Sequence, residues 1–257
     1  MTNTKRLLVA GGDLRQLTAA KRLSEDYSVT VIGFDRFGAL PETVTAADSV
    51  QLPEQLDALL LPMPATQDGV FLHTPFGSST VSLSALLPLV KPGGTVFGGR
   101  ISPAERRQIE SAGLRAADYA AAETFAIRNA VPTAEGAIQI AMQELPVVLH
   151  GLPCLILGAG RVSRALQPRL HALGAAVTVA ARRCTDLARC EGEGCRGIPF
   201  AELDAVLPDF RLIINTVPAQ VLGKNRLHLL RKDALVLDLA SKPGGDGAGD
   251  TPACTAL

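Results

Sequence analysis

Residues 153–163 read Pro-Cys-Leu-Ile-Leu-Gly-Ala-Gly-Arg-Val-Ser, an apolar run that meets two closely spaced glycines and then helix-forming residues. Those types at that spacing suit the binding of a diphosphate. Gly158 permits a tight turn, Ala159 keeps it small, and Gly160 lets the backbone approach the anion. Backbone N–H groups near Arg161 and Val162 would then face the phosphates from a helix N-terminus. Ser163 stands where a third glycine is usual and is small enough for the helix to pack on the strand. A second apolar run, 175–181, ends in Arg182 and Arg183, where an acidic residue would hold a ribose 2′-hydroxyl. Two guanidinium groups suit a 2′-phosphate, so NADP is expected in preference to NAD. Asn215, Thr216 and Val217 close a later strand, with their backbone and the Thr216 hydroxyl expected to border the nicotinamide ribose.

Other chemistry-bearing residues are scattered. Ser241 and Lys242 follow the last apolar run, at the strand edge where open α/β sheets bind ligands. Lys242 suits pairing with a carboxylate or moving a proton. Arg15 follows Gly11-Gly12 near the carboxyl end of the first strand and is expected to bind a carboxylate substrate. Asp13, Arg15 and Gln16 occupy positions where a diphosphate wants small residues, which argues against a second nucleotide turn there. Thr133 and Glu135 lie near a helix start; Glu135 is read either as a general base or as a helix-start charge. Arg100 and Arg128 are further carboxylate candidates without a positional argument. His73, His150, His171 and His228 stand in unrelated contexts, and neither a Ser/His/Asp group nor a metal cluster is expected.

The elements that must carry these residues alternate along the chain. Strands are predicted at 7–10, 29–33, 58–61, 95–98 and 115–119, with helices over 14–24, 84–90 and 103–111, the last with Pro103 in its first position. A long helix is predicted to open near Pro132 or Thr133 and to run to about residue 149. Strands follow at 154–157, 176–180, 211–215 and 234–238. Pro168 falls inside a helix over 161–173, whose apolar spacing holds, so a bend is expected there. The fold class is α/β: two Rossmann-like, doubly wound domains with mainly parallel sheets, joined by a long helix.

Composition narrows the partners. The 257 residues carry 25 basic and 25 acidic side chains, 47% hydrophobic and 19% charged residues, and no Trp. The balance gives no basic footprint for nucleic acid. No apolar run approaches membrane-spanning length and no signal-peptide pattern opens the chain, so a cytoplasmic location is expected. None of Cys154, Cys184, Cys190, Cys195 and Cys254 has zinc-knuckle spacing, and the middle three are expected as free thiols flanking a Gly-rich surface segment.

Five segments occur here in order: Gly11-Gly12-Asp13-Leu14-Arg15-Gln16-Leu17, Asn129 to Gly136, Leu157 to Arg161, Asn215-Thr216-Val217-Pro218, and Leu237 to Gly245. Together they resemble the family of the dipicolinate synthase A subunit across residues 5–245. The resemblance implies an NAD(P)-dependent dehydrogenase that oxidises a dihydrodipicolinate-type precursor to dipicolinate in sporulation, with a flavoprotein-like B subunit, and leaves a homodimer open. It implies a cofactor in the cleft between domains, and substrate contacts from Arg15, Asn129, Thr133 and Ser241. Residues 1–130 are then the substrate domain, 131–150 the joining helix and 151–245 the cofactor domain. Family members continue past Ser-Lys-Pro-Gly-Gly into a strand, a loop and a helix that returns to the first domain. Here residues 246–257 are small and polar, so a disordered tail and a truncated second domain are expected. Two alternatives stay open: an inactive nucleotide-binding scaffold, and another small-acid NADP dehydrogenase.

Overall fold

The computed structural model describes residues 4–47, 55–240 and 254–256. The chain divides into two units, Met1–Phe125 and Ala126–Leu257, each built on one parallel sheet.

The first unit comprises β1 (Arg6–Ala10), α1 (Leu14–Leu23), β2 (Ser28–Ile32), β3 (Thr45–Ala46), β4 (Leu56–Leu60), α2 (Leu83–Leu86), β5 (Val90–Gly98), α3 (Pro103–Ser111) and β6 (Arg115–Asp118). Its strand order is β3-β2-β1-β4-β5-β6. β1 shows why the strands are parallel and central: Leu8 and Ala10 enter one buried cluster while Leu7 and Val9 enter another. A strand apolar on both faces needs cover on both. Asp13 caps α1 by accepting from the Arg15 backbone N–H. Ser102 and Glu105 form a reciprocal capping box at α3, with Pro103 in the first turn as the sequence predicts. The helix expected over 84–90 shrinks to α2 and a 3₁₀ turn at Leu87–Leu89. Its end is drawn into β5, which starts at Val90 and pairs with β4.

The second unit receives α4 (Glu123–Glu144), then β7 (Pro153–Leu157), α5 (Arg161–Ala172), β8 (Ala176–Ala181), α6 (Cys184–Gly192), β9 (Arg196–Pro199), α7 (Leu203–Val206), β10 (Leu212–Asn215), α8 (Lys224–Leu227), β11 (Leu235–Asp238) and β12 (Cys254–Ala256). Its order, β12-β11-β10-β7-β8-β9, is the first sheet's order read from the other end. Each sheet therefore reverses its winding once, between β1 and β4 and between β7 and β10, where such folds bind ligands.

Several expectations need correction. α4 begins at Glu123, so Pro132 and Thr133 lie inside it and Glu135 is well past its first turn. The stripe Ala130, Ala134, Ala137, Ile138 and Ala141 is buried on both sides of Pro132, and this packing outweighs the lost backbone hydrogen bond. α5, by contrast, continues through Pro168 as expected, between the fully buried Leu166 and Leu170. Cys190 and Cys195 are buried, not at the surface, because α6 turns Cys190 toward the core; Cys184 is exposed. The tail expected to lack structure contributes β12, which pairs in parallel with β11 from Val236↔Cys254 to Asp238↔Ala256. An open edge of β11 offers unpaired backbone groups to any nearby extended segment. The rest of 246–257 lies outside the described residues, as do Ser241 and Lys242. Among the described residues no helix is long and apolar enough to cross a membrane, and no group of His, Cys, Asp and Glu could hold a metal ion.

Candidate functional site

The strand β7 is a run of buried apolar residues that stops at Gly158, whose φ of 96° is open to glycine and strained for other residues. A Cβ at Gly158 would stand 2.8 Å from Thr216 Oγ1 and 2.8 Å from Val217 Cγ2, so the turn is pressed against the end of β10. Gly160 differs in kind. It caps α5 without a side-chain hydrogen bond, and nothing lies within 4 Å of where its Cβ would be. The first turn of α5 thus begins beside open space at Gly160, the end of a helix that favours anions. Ser163 is fully buried and accepts from Gln167 Nε2 at 3.0 Å, which lets the helix lie close to the sheet. Ala159 packs on the adjoining core.

Thr216 and Val217 press against this turn, and the Thr216 hydroxyl proton is already engaged. It donates to the Leu157 carbonyl at 2.7 Å, beside the Thr216 N–H at 3.0 Å, and so fastens β10 to β7. Asn215, fully buried, donates through Nδ2 to Asp238 Oδ1 at 2.9 Å and to the Val217 carbonyl at 3.1 Å, and its Oδ1 accepts from the Val217 N–H. The buried carboxylate of Asp238 was invisible in the sequence as a partner, because its contact with Asn215 arises only from β10–β11 pairing. Asn215→Leu is expected to lower stability by about 2–4 kcal/mol by leaving a buried carboxylate short of a donor; urea denaturation measures it.

Arg182 and Arg183 follow β8 and are exposed. Arg183 forks onto Asp186, with Nε at 2.7 Å from Oδ2 and Nη2 at 3.1 Å from Oδ1. Arg189 and Arg164 reach the same carboxylate at 3.4 Å and 3.7 Å. The Arg183 guanidinium holds the Asp186 carboxyl below the usual carboxylate range, and the other two add to it. One carboxylate thus gathers three guanidinium groups, and the exposed Arg182 precedes one of them in the chain. Arg164 stands on α5, so this cluster is tied to the helix that the glycine turn opens. Sequence reading missed Arg164 and Asp186 because their meeting depends on tertiary packing.

The first unit carries a similar turn that its own chain fills. Gly11 and Gly12 have φ of 62° and 91°, but Gly12 N–H donates to the His73 carbonyl at 2.6 Å. A Cβ at Gly12 would lie 2.2 Å from Gln16 Cγ. Asp35, at the position of a ribose-binding acid, instead accepts from the Ser78 N–H at 3.0–3.1 Å. The segment around His73–Ser78 therefore occupies the space a dinucleotide would need. Arg15 is engaged as well: Nε and Nη2 fork onto Asp13 at 2.8–3.0 Å. Gln16 donates to the Leu61 carbonyl at 2.7 Å, and the Tyr119 hydroxyl donates to the same oxygen at 3.2 Å. Burial pushes the Tyr119 phenol up to about 12, so it is a neutral donor at ordinary pH.

The remaining expected site residues do not gather. Thr133 donates through its hydroxyl to the Asn129 carbonyl one turn back along α4. Glu135 is exposed and pairs with Arg169 of α5 at 3.3 Å, a contact that ties two helices together.

Two doubly wound parallel-sheet domains, one with an open glycine turn, define a two-domain Rossmann-like α/β protein. The family described as the N-terminal domain of the dipicolinate synthase A subunit matches residues 6–120. The chain belongs to the family of the dipicolinate synthase A subunit. It is 32% identical over 246 residues to the dipicolinate synthase A subunit of Bacillus subtilis, covering 93% of this chain and 82% of that protein. The crystal structure of the Bacillus subtilis A subunit superposes with a TM-score of 0.84 at 29% identity, covering 100% of this chain and 89% of that one. The corresponding structure from Bacillus halodurans gives 0.85 at 30% identity, covering 98% and 90%.

Proposed function

We propose that this chain is an NADP-dependent oxidoreductase that converts a dihydrodipicolinate-type precursor to dipicolinate, acting in the cytoplasm of a sporulating cell with a flavoprotein-like B subunit. The observation that carries the reading is the space at Gly160, uncapped by any side chain, beside an arginine-rich surface at the end of β8. The residues fit a dinucleotide phosphorylated on its adenosine ribose. α5 offers N–H groups to the diphosphate, and Arg182 with Arg183 offers a 2′-phosphate charge and planar donors.

Bound NADP⁺ supplies a hydride acceptor for a ring carbon of the dihydropyridine. The chain's own tasks are binding and orientation, and removal of the proton that accompanies aromatisation. The first unit, whose nucleotide space is filled by its own segment, is left to hold the dicarboxylate substrate through Arg15 and its neighbours. Lys242 is the proton-transfer candidate, since Glu135 is paired with Arg169. Asn129, Thr133 and Ser241 are kept as substrate contacts to be tested one at a time.

Incubating the purified chain with the dihydrodipicolinate-type substrate and NADP, with and without the B subunit, tests this reading. Stoichiometric appearance of reduced coenzyme and dipicolinate is expected. Dipicolinate formed only when the B subunit is present, with no coenzyme reduced, would make this chain a scaffold instead. Size-exclusion chromatography of the same mixtures reports whether the two proteins associate and whether this chain pairs with itself.

A further inference from the structure

Arg100 stands in a left-handed backbone conformation, φ 54°, which side chains with a Cβ seldom adopt. The first unit holds it there with several contacts. The Asp118 carboxylate accepts from the Arg100 N–H at 3.1 Å, the Ile101 N–H at 3.0 Å and the Ala120 N–H at 2.9 Å. The preceding Gly99 N–H donates to the Pro62 carbonyl at 3.0 Å. A Cβ on Gly99 would lie 2.5 Å from Met63 and 2.9 Å from the Tyr119 ring, so the turn is clamped from both sides. This turn leaves the carboxyl end of β5, one strand beyond the β1–β4 boundary at which the first sheet reverses its winding. Arg100 itself is exposed, and among the described residues no carboxylate forms an ion pair with it. A left-handed backbone held by a half-buried carboxylate at the carboxyl end of a strand motivates a functional reading of this arginine.

The same Tyr119 ring lies within electrostatic range of Arg15 and shares the Leu61 carbonyl with Gln16. Tyr119 therefore stands between the Gly99–Arg100 turn and the start of α1, which carries Arg15. Arg15 is already paired with Asp13, whereas no such pair holds Arg100 among the described residues. We propose that Arg100 binds one carboxylate of a planar dicarboxylate and sets the preference for two carboxylates over one, resting on the reading of the first unit as the substrate-holding domain. A guanidinium fork matches a carboxylate edge in two parallel hydrogen bonds, a geometry that lysine does not reproduce.

Isothermal titration of the full chain with dipicolinate and with picolinate, its monocarboxylate counterpart, tests the proposal in wild type, Arg100→Gly and Arg100→Lys. Glycine retains the left-handed backbone, so the fold is expected to stay intact, and thermal denaturation verifies that. Wild type is expected to prefer dipicolinate, and Arg100→Gly to lose about tenfold or more in dipicolinate affinity with picolinate and NADP affinities unchanged. Arg100→Lys falls between. Equal dipicolinate binding by wild type and Arg100→Gly, or no preference for dipicolinate in wild type, overturns the assignment. Coenzyme reduction by wild type is scored separately: its absence beside a retained dipicolinate preference would sink the oxidoreductase reading and leave Arg100 in place.

Discussion

Gly158→Ala and Gly160→Ala are expected to part company. The first variant should lose about 2–4 kcal/mol of stability, because an alanine is strained in the left-handed region and its methyl meets Thr216 and Val217. The second should fold with stability within about 1 kcal/mol of wild type, since its new methyl enters open space and its φ of −80° suits any residue. Both should lose coenzyme affinity by at least about tenfold, the first through a displaced turn and the second through a methyl that stands where the diphosphate comes closest. Thermal denaturation and fluorescence titration with NADPH separate the two effects. A Gly160→Ala chain that binds NADPH as wild type does would show that the open space at α5 serves something else.

Replacing Arg182 and Arg183 together by alanine is expected to weaken NADP binding by about a hundredfold, close to 3 kcal/mol, and NAD binding by less than about threefold. The expected gap is large because a 2′-phosphate brings up to two negative charges that NAD lacks. Arg183 also forks onto Asp186, so the single variant Arg183→Ala strips that carboxylate of its bidentate partner and leaves it with Arg189 and Arg164. Arg182→Ala leaves the Asp186 cluster intact and should cost less. Competition titrations of NADP against NAD give both numbers on one sample. Equal losses for the two coenzymes would reject NADP as the preferred partner.

What could be read from the sequence was what depends on neighbours along the chain. The run from Pro153 to Ser163 carries its strand, turn and helix start within eleven residues, and the structure builds all three there. Pro103 in a first turn and the central strands β1 and β7 were legible for the same reason. One interior proline misled, whereas the helix through Pro168 was legible. Pro132 looks like a helix start, yet the buried alanine stripe that continues past it can be recognised only once the sheet it covers is known. Edge strands β3 and β9 are short and half-polar, so their pattern was too weak to see. Partnerships across the fold were hidden altogether: Asp186 with Arg164, Asn215 with Asp238, and the left-handed Arg100 with Asp118. Nothing in Gly99-Arg100 announces that conformation, because it is imposed by Met63, Tyr119 and a carboxylate eighteen positions on.

The sealing of Gly11-Gly12 by His73 and of Asp35 by Ser78 has a numerical consequence. A molecule with two copies of one architecture should saturate at a single equivalent of NADPH, and equilibrium dialysis should give a linear Scatchard plot. Raising the nucleotide concentration further should then leave the other copy unloaded, so excess coenzyme has no second door through which to inhibit.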